Sequence, residues 1–412
     1  MVSFIDKRQL TNATDIEGGM IWVPGVNPDD EMIAIMWNSE TNYGTDPYGC
    51  TTTPNIYHHW LVKKSDIDAG GTYPVPHINL RGTECSDKWG NYFTYIPKKR
   101  WLYESGFKGT SCTGPKFFTI YDLTNPSSPK IVKDFEGAST SNCGFYFAFY
   151  AEEVDKWLII DSDTLQAKIA TTDQLLAMTS WDQLPNAPVN PTRVACITVG
   201  GSKIMCGGVI YDLKAGTTST FPDEEPIGAS LNYVITKASA WNQNLTIKWY
   251  NKTDLTLAYT QTTTLTHPPW EPIVIPELDS VLIYPHFGGT SNTMYLLEPN
   301  GTLLSFTLPR SVEMRLLART KGFFTILTRD GYFSYLLPDL YLMINKEAGK
   351  YVLRDMNNTP VPNKSVVICE QSSIYCDRYG YNGCTTVTTD SNGVISIPST
   401  FIGKSFIIIA PP

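Results

Sequence analysis

The chain has 412 residues, a formal net charge of −8 and charged side chains at only 17% of its positions, against roughly 25% in an ordinary globular domain. No basic run is longer than residues 97–101, which argues against a phosphate-binding surface and so against sequence-specific recognition of nucleic acid. No apolar stretch approaches the ~18 residues of a membrane helix, and residues 1–8 lack the apolar core of a secretory signal, so we expect a soluble chain without membrane insertion.

Strand signals dominate the chain, and helix signals are weak because 30 glycines and 28 prolines interrupt most long stretches. The best helix candidate is residues 171–178, which predict a capped turn or two. Elsewhere an apolar or aromatic run ends in a polar turn, and a second apolar run follows. The aligned position before the turn recurs in six units, at Tyr121, Ile160, Tyr211, Tyr250, Leu297 and Thr328.

These positions are separated by 39, 51, 39, 47 and 31 residues, close to the roughly 40–50 residues of a four-stranded propeller blade. An earlier hairpin at residues 55–64 adds a first blade. We therefore predict an all-β chain with a seven-bladed β-propeller over residues 18–345, preceded by an N-terminal extension, residues 1–17. Six blades is the alternative count. A pair of β-sandwich domains is the competing architecture, because hairpins alone do not require a closed ring.

One repeat unit carries a resemblance to a known family. Residues 120–130 read Ile-Tyr-Asp-Leu-Thr-Asn-Pro-Ser-Ser-Pro-Lys, which resembles the strand–turn–strand core of the LVIVD-type repeat of surface-layer and secreted propellers. The other units keep the position of the turn but lack the Asn-Pro pair. The resemblance supports a propeller and implies little about function.

The composition changes after residues 345–350, and the last part of the chain carries a second resemblance. A Pro360-Val361 entry precedes a Val-rich strand, and Thr388, Asp390 and Gly393 follow in a Thr-x-Asp-x-x-Gly pattern. This resembles the carboxypeptidase regulatory-like (transthyretin-like) family, which implies a small Greek-key β-sandwich over residues 346–412. In that family the module serves docking or stability and is not a catalyst.

Nine cysteines, an odd number, are spread along the chain, and for most of them we expect free, buried thiols. Cys196 and Cys206 flank a glycine-centred hairpin that would bring their sulfur atoms near each other. Cys369, Cys376 and Cys384 have no histidine between them, and three thiolates are one ligand short of a structural zinc site. A disulfide between two of these three is the better expectation in an oxidising compartment.

No residue set in the sequence predicts a metal or cofactor site. His58 and His59 are neighbours on a predicted strand and therefore point to opposite faces, so both cannot bind one ion. The remaining histidines are His77, His267 and His286. The calcium-like groups at residues 161–163 and 390–393 lack the other ligands of a calcium loop and are expected to be turns.

Catalytic patterns are also missing. The chain has no Gly-x-Ser-x-Gly elbow and no phosphate-binding loop, and residues 200–203 predict a hairpin turn. Sialidase-type propellers carry Ser-x-Asp-x-Gly-x-Thr-Trp boxes, which are absent, although an arginine cluster could be drawn from Arg81, Arg100, Arg310, Arg315 and Arg319. Glycosidases need a carboxylate pair, and no pair stands out among Glu152, Glu153, Asp155, Asp161 and Asp163. We expect no enzyme activity.

Aromatic residues crowd two segments, 89–95 and 145–150, where we expect blade core rather than a surface that stacks on sugar rings. The low charge, the two β-modules and the missing active site favour a non-enzymatic virion component of a phage tail, baseplate or host-adsorption apparatus. Its partners would be other virion proteins, with receptor contact as an added role, and its resemblance to phage structural propellers is one of architecture. The alternative is an extracellular glycan-binding lectin or a glycan-processing propeller, against which the missing export signal counts.

Overall fold

A computed structural model describes the chain apart from residues 1, 12–15, 24–30, 40–47, 51–56, 110–111, 141, 200, 231, 239–243, 266–269, 276–277, 286–289, 321–322, 339–342, 348–349, 356–358, 371–381, 403–405 and 410–412. Strands make up 60% of the structure and helices 7%. None of the described helices is long and apolar enough to cross a membrane.

The strands of the first half of the chain are β1 (Val2–Gln9), β2 (Ile16–Val23), β3 (Met32–Ser39), β4 (His58–Lys63), β5 (Ile78–Asn79), β6 (Lys88–Ile96), β7 (Trp101–Lys108), β8 (Pro115–Asp122), β9 (Lys130–Ser139), β10 (Tyr146–Ala151), β11 (Lys156–Asp161) and β12 (Ala167–Thr171). Two short α-helices, α1 (Lys64–Asp68) and α2 (Thr172–Ala177), interrupt them. Helix α2 begins with a capping box between Thr171 and Gln174, which confirms the one helix predicted from the sequence.

The strands of the second half are β13 (Arg193–Thr198), β14 (Lys203–Gly207), β15 (Val209–Asp212), β16 (Thr217–Thr220), β17 (Glu225–Ala229), β18 (Tyr233–Lys237), β19 (Asn244–Asn251), β20 (Leu257–Thr264), β21 (Trp270–Ile275), β22 (Ser280–Pro285), β23 (Ser291–Leu297), β24 (Leu303–Val312), β25 (Met314–Thr320), β26 (Phe323–Thr328) and β27 (Tyr332–Pro338). They are followed by β28 (Met343–Glu347), β29 (Lys350–Arg354), β30 (Ser365–Glu370), β31 (Asn382–Thr388), β32 (Val394–Ile395) and β33 (Phe406–Ile409).

Seven antiparallel sheets follow one another around the ring, which confirms the predicted seven-bladed propeller. From inner to outer strand, blades one to six are β2-β3-β4-β5, β6-β7-β8-β9, β10-β11-β12, β13-β14-β15-β16, β17-β18-β19-β20 and β21-β22-β23-β24. The third blade has only three strands. Its edge strand β12 is covered by residues 185–187, since Ile169 N donates to Pro185 O at 2.9 Å and Ala187 N donates to Ala167 O at 2.9 Å.

The seventh blade is completed by the N-terminal strand. Its order is β25-β26-β27-β1, and Val2 pairs with Pro338 while Gln9 pairs with Tyr332. Residues 2–9, predicted as part of an extension, are therefore the outer strand of a blade. A strand that pairs with residues more than 300 positions away leaves no local turn signal, which is why the sequence pattern missed it.

The core lies between neighbouring blades, because each sheet packs face to face against the next. Leu61 of the first blade and Tyr121 of the second belong to one buried cluster, and Trp249 of the fifth blade packs with Ile283 of the sixth. Phe4 of β1 is buried with the side chains of the sixth and seventh blades. The largest fully buried side chains include five tryptophans, Trp22, Trp37, Trp60, Trp157 and Trp249.

The C-terminal part forms two small sheets, β28-β29-β32 and β31-β30-β33. Both contribute to one hydrophobic cluster, whose buried members are Leu353, Val366, Ile368, Ile395, Phe401 and Ile408. A core of its own, separate from the blade clusters, is what allows such a segment to fold as a unit.

Candidate functional site

Disulfides fasten the loops at one end of the first two blades. Cys50, between β3 and β4, is bonded to Cys85 in the loop that leads into the second blade. Cys112 and Cys143 join the equivalent two loops of the second blade. The two bonds therefore occupy equivalent positions in successive blades. Each joins the loop between the second and third strands of a blade to the loop before the first strand of the next blade.

The expectation that most cysteines are free thiols is wrong. Cys196 and Cys206 form a third disulfide across β13 and β14, as the hairpin pattern suggested. Cys384 is also disulfide-bonded. The spacings of 35 and 31 residues span two strands each, so only the blade topology reveals that these loops meet.

Glu84 lies in the loop that carries Cys85, and four side chains lie within hydrogen-bond distance of its carboxylate. His58 Nδ1 is 3.0 Å and Trp60 Nε1 is 2.9 Å from Oε1. His77 Nε2 is 3.0 Å and Asn79 Nδ2 is 2.9 Å from Oε2. Burial alone would raise the pKa of Glu84, but the hydrogen bonds from His58, His77 and Asn79 outweigh it and hold the pKa well below its ordinary value.

The aromatic rings around Glu84 fix the orientation of its partners. The His77 ring stacks on Trp60 with centroids 3.9 Å apart, and the His58 ring stacks on Trp37 at 4.5 Å. Trp60 and His58 are buried, so the rings can neither rotate away nor exchange Glu84 for water without a cavity opening. The cluster is a fixed support for the loop that carries Cys85.

A second carboxylate, Glu104 of β7, is fully buried between the first two blades. His59 Nδ1 is 2.5 Å from its Oε1, Tyr121 donates to Oε2 at 2.6 Å, and Arg81 Nη2 lies 3.4 Å from Oε2. A Cβ atom at Gly90 would lie 2.1 Å from Oε1, so only glycine leaves room for this carboxylate. As strand alternation predicted, His58 and His59 face different partners.

The electrostatics of Glu104 keep it ionised. Burial would raise its pKa, but the charges of His59 and Arg81 and the hydrogen bonds from His59 and Tyr121 lower it to about 2. Burial raises the pKa of the Tyr121 phenol far above its ordinary value, and the Glu104 charge adds to that effect. Burial lowers the pKa of His59 against the attraction of Glu104, and its Nε2 lies 2.8 Å from the Lys88 carbonyl.

From Glu104 the polar contacts continue to the surface of the second blade. Arg81 Nη2 donates to Thr119 Oγ1 at 2.7 Å, and Thr119 donates to Asp134 at 2.6 Å. Lys88 Nζ is 2.9 Å from Asp134 and 3.2 Å from Glu136. Two buried polar atoms of this region, Arg81 Nε and Asn79 Oδ1, have no hydrogen-bond partner.

Chemically, these groups hold the first two blades together and offer no free acid, base or nucleophile. Sequence reasoning missed Glu84 and Glu104. The available signal, for Glu104 alone, was a carboxylate in the middle of the strand Trp101–Lys108, which also holds Trp, Leu, Tyr and Phe, because a carboxylate in such a position must be paired.

The proposed carboxylate candidates are also paired. Lys116 Nζ lies 2.7 Å from Asp161 and 3.2 Å from Asp163, in a buried group of three. Asp155 accepts from Tyr150 at 2.6 Å, and Glu152 lies 3.9 Å from Lys98. Glu153 has backbone and side-chain contact with Gly201.

The described arginine candidates lie on different elements, whereas two of the histidine candidates, His58 and His77, meet at the carboxylate of Glu84. Arg81 precedes β6, Arg100 lies in the β6–β7 turn, and Arg310 on β24 binds Asp6 and Asp330. The side chains of Arg315 and Arg319, and all of His267 and His286, lie outside the described residues. Within the described part, no group of three or more His, Cys, Asp or Glu is placed to hold a metal ion.

The two aromatic segments are mostly core. Every described aromatic side chain of residues 89–95 and 145–150 is buried or half-buried. Tyr92, Phe145 and Phe147 are half-buried and contact one another, with Tyr92 and Phe147 centroids 4.7 Å apart and Phe145 and Phe147 centroids 4.6 Å apart.

The exposed large apolar side chains have a common location. Most of those in the described part of the chain lie on outer strands of blades, namely Ile5 on β1, Ile131 and Val132 on β9, Leu257 and Tyr259 on β20, and Leu303 and Leu304 on β24. Blades five, six and seven are neighbours, and their outer strands are linked. Gln261 Nε2 donates to Pro299 O at 2.7 Å, and Arg310 of β24 binds Asp6 of β1 at 3.1 Å. We call this outer surface of blades five to seven the rim.

No family model matches the sequence, and no curated protein matches it. Among solved structures, a chain of the COPII coat assembled on membranes has a TM-score of 0.51 at 11% identity, covering 94% of this chain and 56% of its own. A chain of the COPII outer coat vertex has a TM-score of 0.50 at 10% identity, with 91% and 99% covered. Virginiamycin B lyase from Staphylococcus aureus has a TM-score of 0.48 at 8% identity, with 82% and 100% covered. Similarity at this level of identity concerns the fold alone.

Proposed function

We propose that this chain is a non-enzymatic structural component of a virion, in a phage tail, baseplate or host-adsorption apparatus, where it docks other proteins. The observation that carries the proposal is the rim: large apolar side chains are exposed on outer strands, whereas several of the titratable candidates, Glu152 and Asp161 among them, form ion pairs between blades. Exposed apolar patches on a folded protein are typical of interaction surfaces.

Two further features support a docking role outside a cell. Three disulfides with both partners described are typical of proteins whose mature form meets oxidising surroundings, virion surfaces included. The resemblance of the C-terminal segment to carboxypeptidase regulatory-like modules adds a second docking element. A propeller supplies a rigid disc between such elements, because each blade is packed on both faces.

Particle composition tests the proposal. Mass spectrometry of purified source particles should find the chain at a fixed ratio to the other structural proteins. Particles reconstituted with Leu303→Asp, on the rim, should lose the chain, because a carboxylate cannot be buried at an apolar contact. Val189→Asp is the matched control, since Val189 is 46% exposed and lies outside the rim, beside β12 of the third blade. Recovery of the chain only as a free protein, never in particles, would refute a virion role.

A glycan-binding role is the second candidate, favoured by the half-buried contact of Tyr92, Phe145 and Phe147. Aromatic faces that remain partly open can stack on sugar rings. A glycan array should then give a defined hit that Phe147→Ala abolishes. An array without a hit at any ligand concentration leaves only the virion proposal.

A further inference from the structure

The outer strands of the blades differ in how they are protected against pairing with another strand. An exposed strand edge is normally blunted by shortness, charge, proline or a covering segment. The edges of the first and fourth blades are short, with two residues in β5 and four in β16. The third blade is covered by residues 185–187. Strands β9 and β1 carry several charged residues, and β24 carries Pro309 and Arg310.

Among the residues that the structure describes, strand β20 has none of these devices, although it contains one bulge. Its eight residues, Leu-Ala-Tyr-Thr-Gln-Thr-Thr-Thr, include no charge and no proline. The register shift at the start of the strand, where Trp249 faces Tyr259 and Tyr250 faces Leu257, leaves a regular edge from Tyr259 to Thr264. In the described fold β20 is the last strand of its sheet. Among the seven outer strands it is the long edge that offers least resistance to pairing.

Two apolar side chains of β20 are exposed, and several of its side chains are held in place by contacts within the fifth blade. Leu257 is 52% exposed and Tyr259 is 39% exposed. Tyr259 is held by an edge contact with the Tyr233 ring at 5.7 Å. Thr262 Oγ1 is 3.0 Å from Thr246 Oγ1, and Thr264 donates to Asn244 at 2.8 Å. These contacts fix the side chains in place before any partner arrives, which lowers the entropy cost of pairing.

We infer that β20 pairs antiparallel with β20 of a second copy of this chain, joining two fifth blades into one continuous sheet. The strand is complementary to itself. With the two-fold axis at Gln261, which keeps equivalent side chains on the same face of the joined sheet, Tyr259 faces Thr263 of the second copy, and Thr260 faces Thr262. Aromatic–threonine and threonine–threonine pairs are favourable across strands, and a symmetric contact closes after two copies.

Charge selects this edge over the others. Each copy carries a net charge of −8, so two copies repel unless they meet where charge is lacking. Asp254, in the turn before β20, would lie at the far end of the joined strands from its counterpart, because antiparallel pairing separates equivalent ends. On β9 or β1, self-pairing would instead bring charged strands together. The inference is independent of the proposed virion role.

The test is the mass of the purified protein in solution. Sedimentation equilibrium from roughly 1 to 100 μM, a range in which modest interfaces associate, should show conversion of the 46.0 kDa chain to twice that mass. Thr260→Lys should raise the dissociation constant at least about tenfold, because it places two ammonium groups on one joined edge. Ser219→Lys, on the polar outer strand β16 of the fourth blade, is the matched control and should leave dimerisation unchanged.

Hydrogen exchange locates the interface independently of the variants. Amides of the Leu257–Thr264 strand should exchange more slowly at high than at low protein concentration, while those of β16 should not change. A monomer at every concentration would overturn the inference. So would a dimer that Thr260→Lys leaves intact and that gives β20 no protection. A monomer that binds the strand of a different protein at β20 would assign the edge to another partner and equally overturn self-pairing.

Discussion

Replacing Glu104 by glutamine tests whether the buried ion cluster holds the first two blades together. The substitution keeps the shape of the side chain and removes its charge, which leaves Arg81 buried with one carboxylate fewer. The pKa of Glu104 is lowered from 4.5 to about 2. At about 1.4 kcal/mol for each tenfold change in proton affinity, this corresponds to roughly 3 kcal/mol of folding free energy at neutral pH. The general cost of removing one partner from a buried ion pair, about 3–5 kcal/mol of folding free energy, gives a second value of similar size.

The pH dependence follows from the direction of the shift. Because the folded-state pKa of Glu104 is lowered, its contribution is fully present above pH 4.5 and disappears as the pH falls toward about 2. The unfolding free energy of the wild type should therefore fall over this range more steeply than that of Glu104→Gln. The two proteins should differ by about 3 kcal/mol at pH 7 and by much less near pH 2.

Urea unfolding followed by tryptophan fluorescence is the appropriate assay, because all ten tryptophans precede residue 346 and report on the propeller. Glu136→Gln is the control: Glu136 is 41% exposed and lies 3.2 Å from Lys88, so its loss should change the unfolding free energy by less than about 0.5 kcal/mol. If Glu104→Gln unfolds within about 1 kcal/mol of the wild type at pH 7 and keeps the same pH profile, the cluster does not stabilise the fold as argued.

Three further predictions concern the frame of the propeller. Mutation of Cys50 and Cys85 to serine should lower the unfolding free energy by about 4 kcal/mol, the loop-closure value for a bond that spans 35 residues; urea titration with and without reductant checks this. Deletion of Val2–Gln9 should leave the seventh blade open and lower the urea midpoint, and a synthetic peptide of that strand should restore it. Gly106→Ala should reduce the yield of folded protein severely, because its Cβ would lie 1.6 Å from the Trp89 carbonyl oxygen.

Each of these three predictions has a control experiment. Reductant should destabilise the double serine variant less than the wild type, because one disulfide fewer remains to be reduced, so an equal response would mean that the Cys50–Cys85 bond does not stabilise the fold. A scrambled peptide should not rescue the deletion. Gly216→Ala tests the difference between clash and backbone strain, since Gly216 has φ of 70° and no atom within 4 Å of a Cβ; it should cost only about 1 kcal/mol. Equal effects of the two glycine variants would contradict the clash argument.

The propeller could be predicted because the strands of a blade are neighbours in sequence, so the apolar runs and polar turns of its hairpins are visible in the local sequence pattern. The uneven spacing of the aligned positions has a structural cause. Tyr121, Tyr211, Tyr250 and Leu297 end or nearly end third strands, whereas Ile160 lies on a second strand. Thr328 also ends a second strand, so three steps, the first one of 39 residues and those of 51 and 31 residues, each join two phases of one repeat. The blade count survived this error because every blade still contributed one hairpin.

The contacts that the sequence could not predict join residues that are far apart along the chain. Strand alternation was enough to place His58 and His59 on opposite faces. Their partners, Glu84 and Glu104, come from a loop and from another blade, and no spacing rule connects them. The disulfides were missed for the same reason, because the loops that carry the paired cysteines meet only at the end of a folded blade.

The small number of charges on the chain and the proposed pairing of β20 are connected. Several of the charged side chains are buried in ion pairs within or between blades, Lys88, Glu104, Lys116, Asp161, Glu224 and Glu313 among them. Each charge placed inside is one fewer on a surface that already has few, and surface charge is what normally keeps folded chains apart. Strand β20 carries no charge at all, so the proposed association uses an outer strand at which a surface with few charges has none to keep two copies apart.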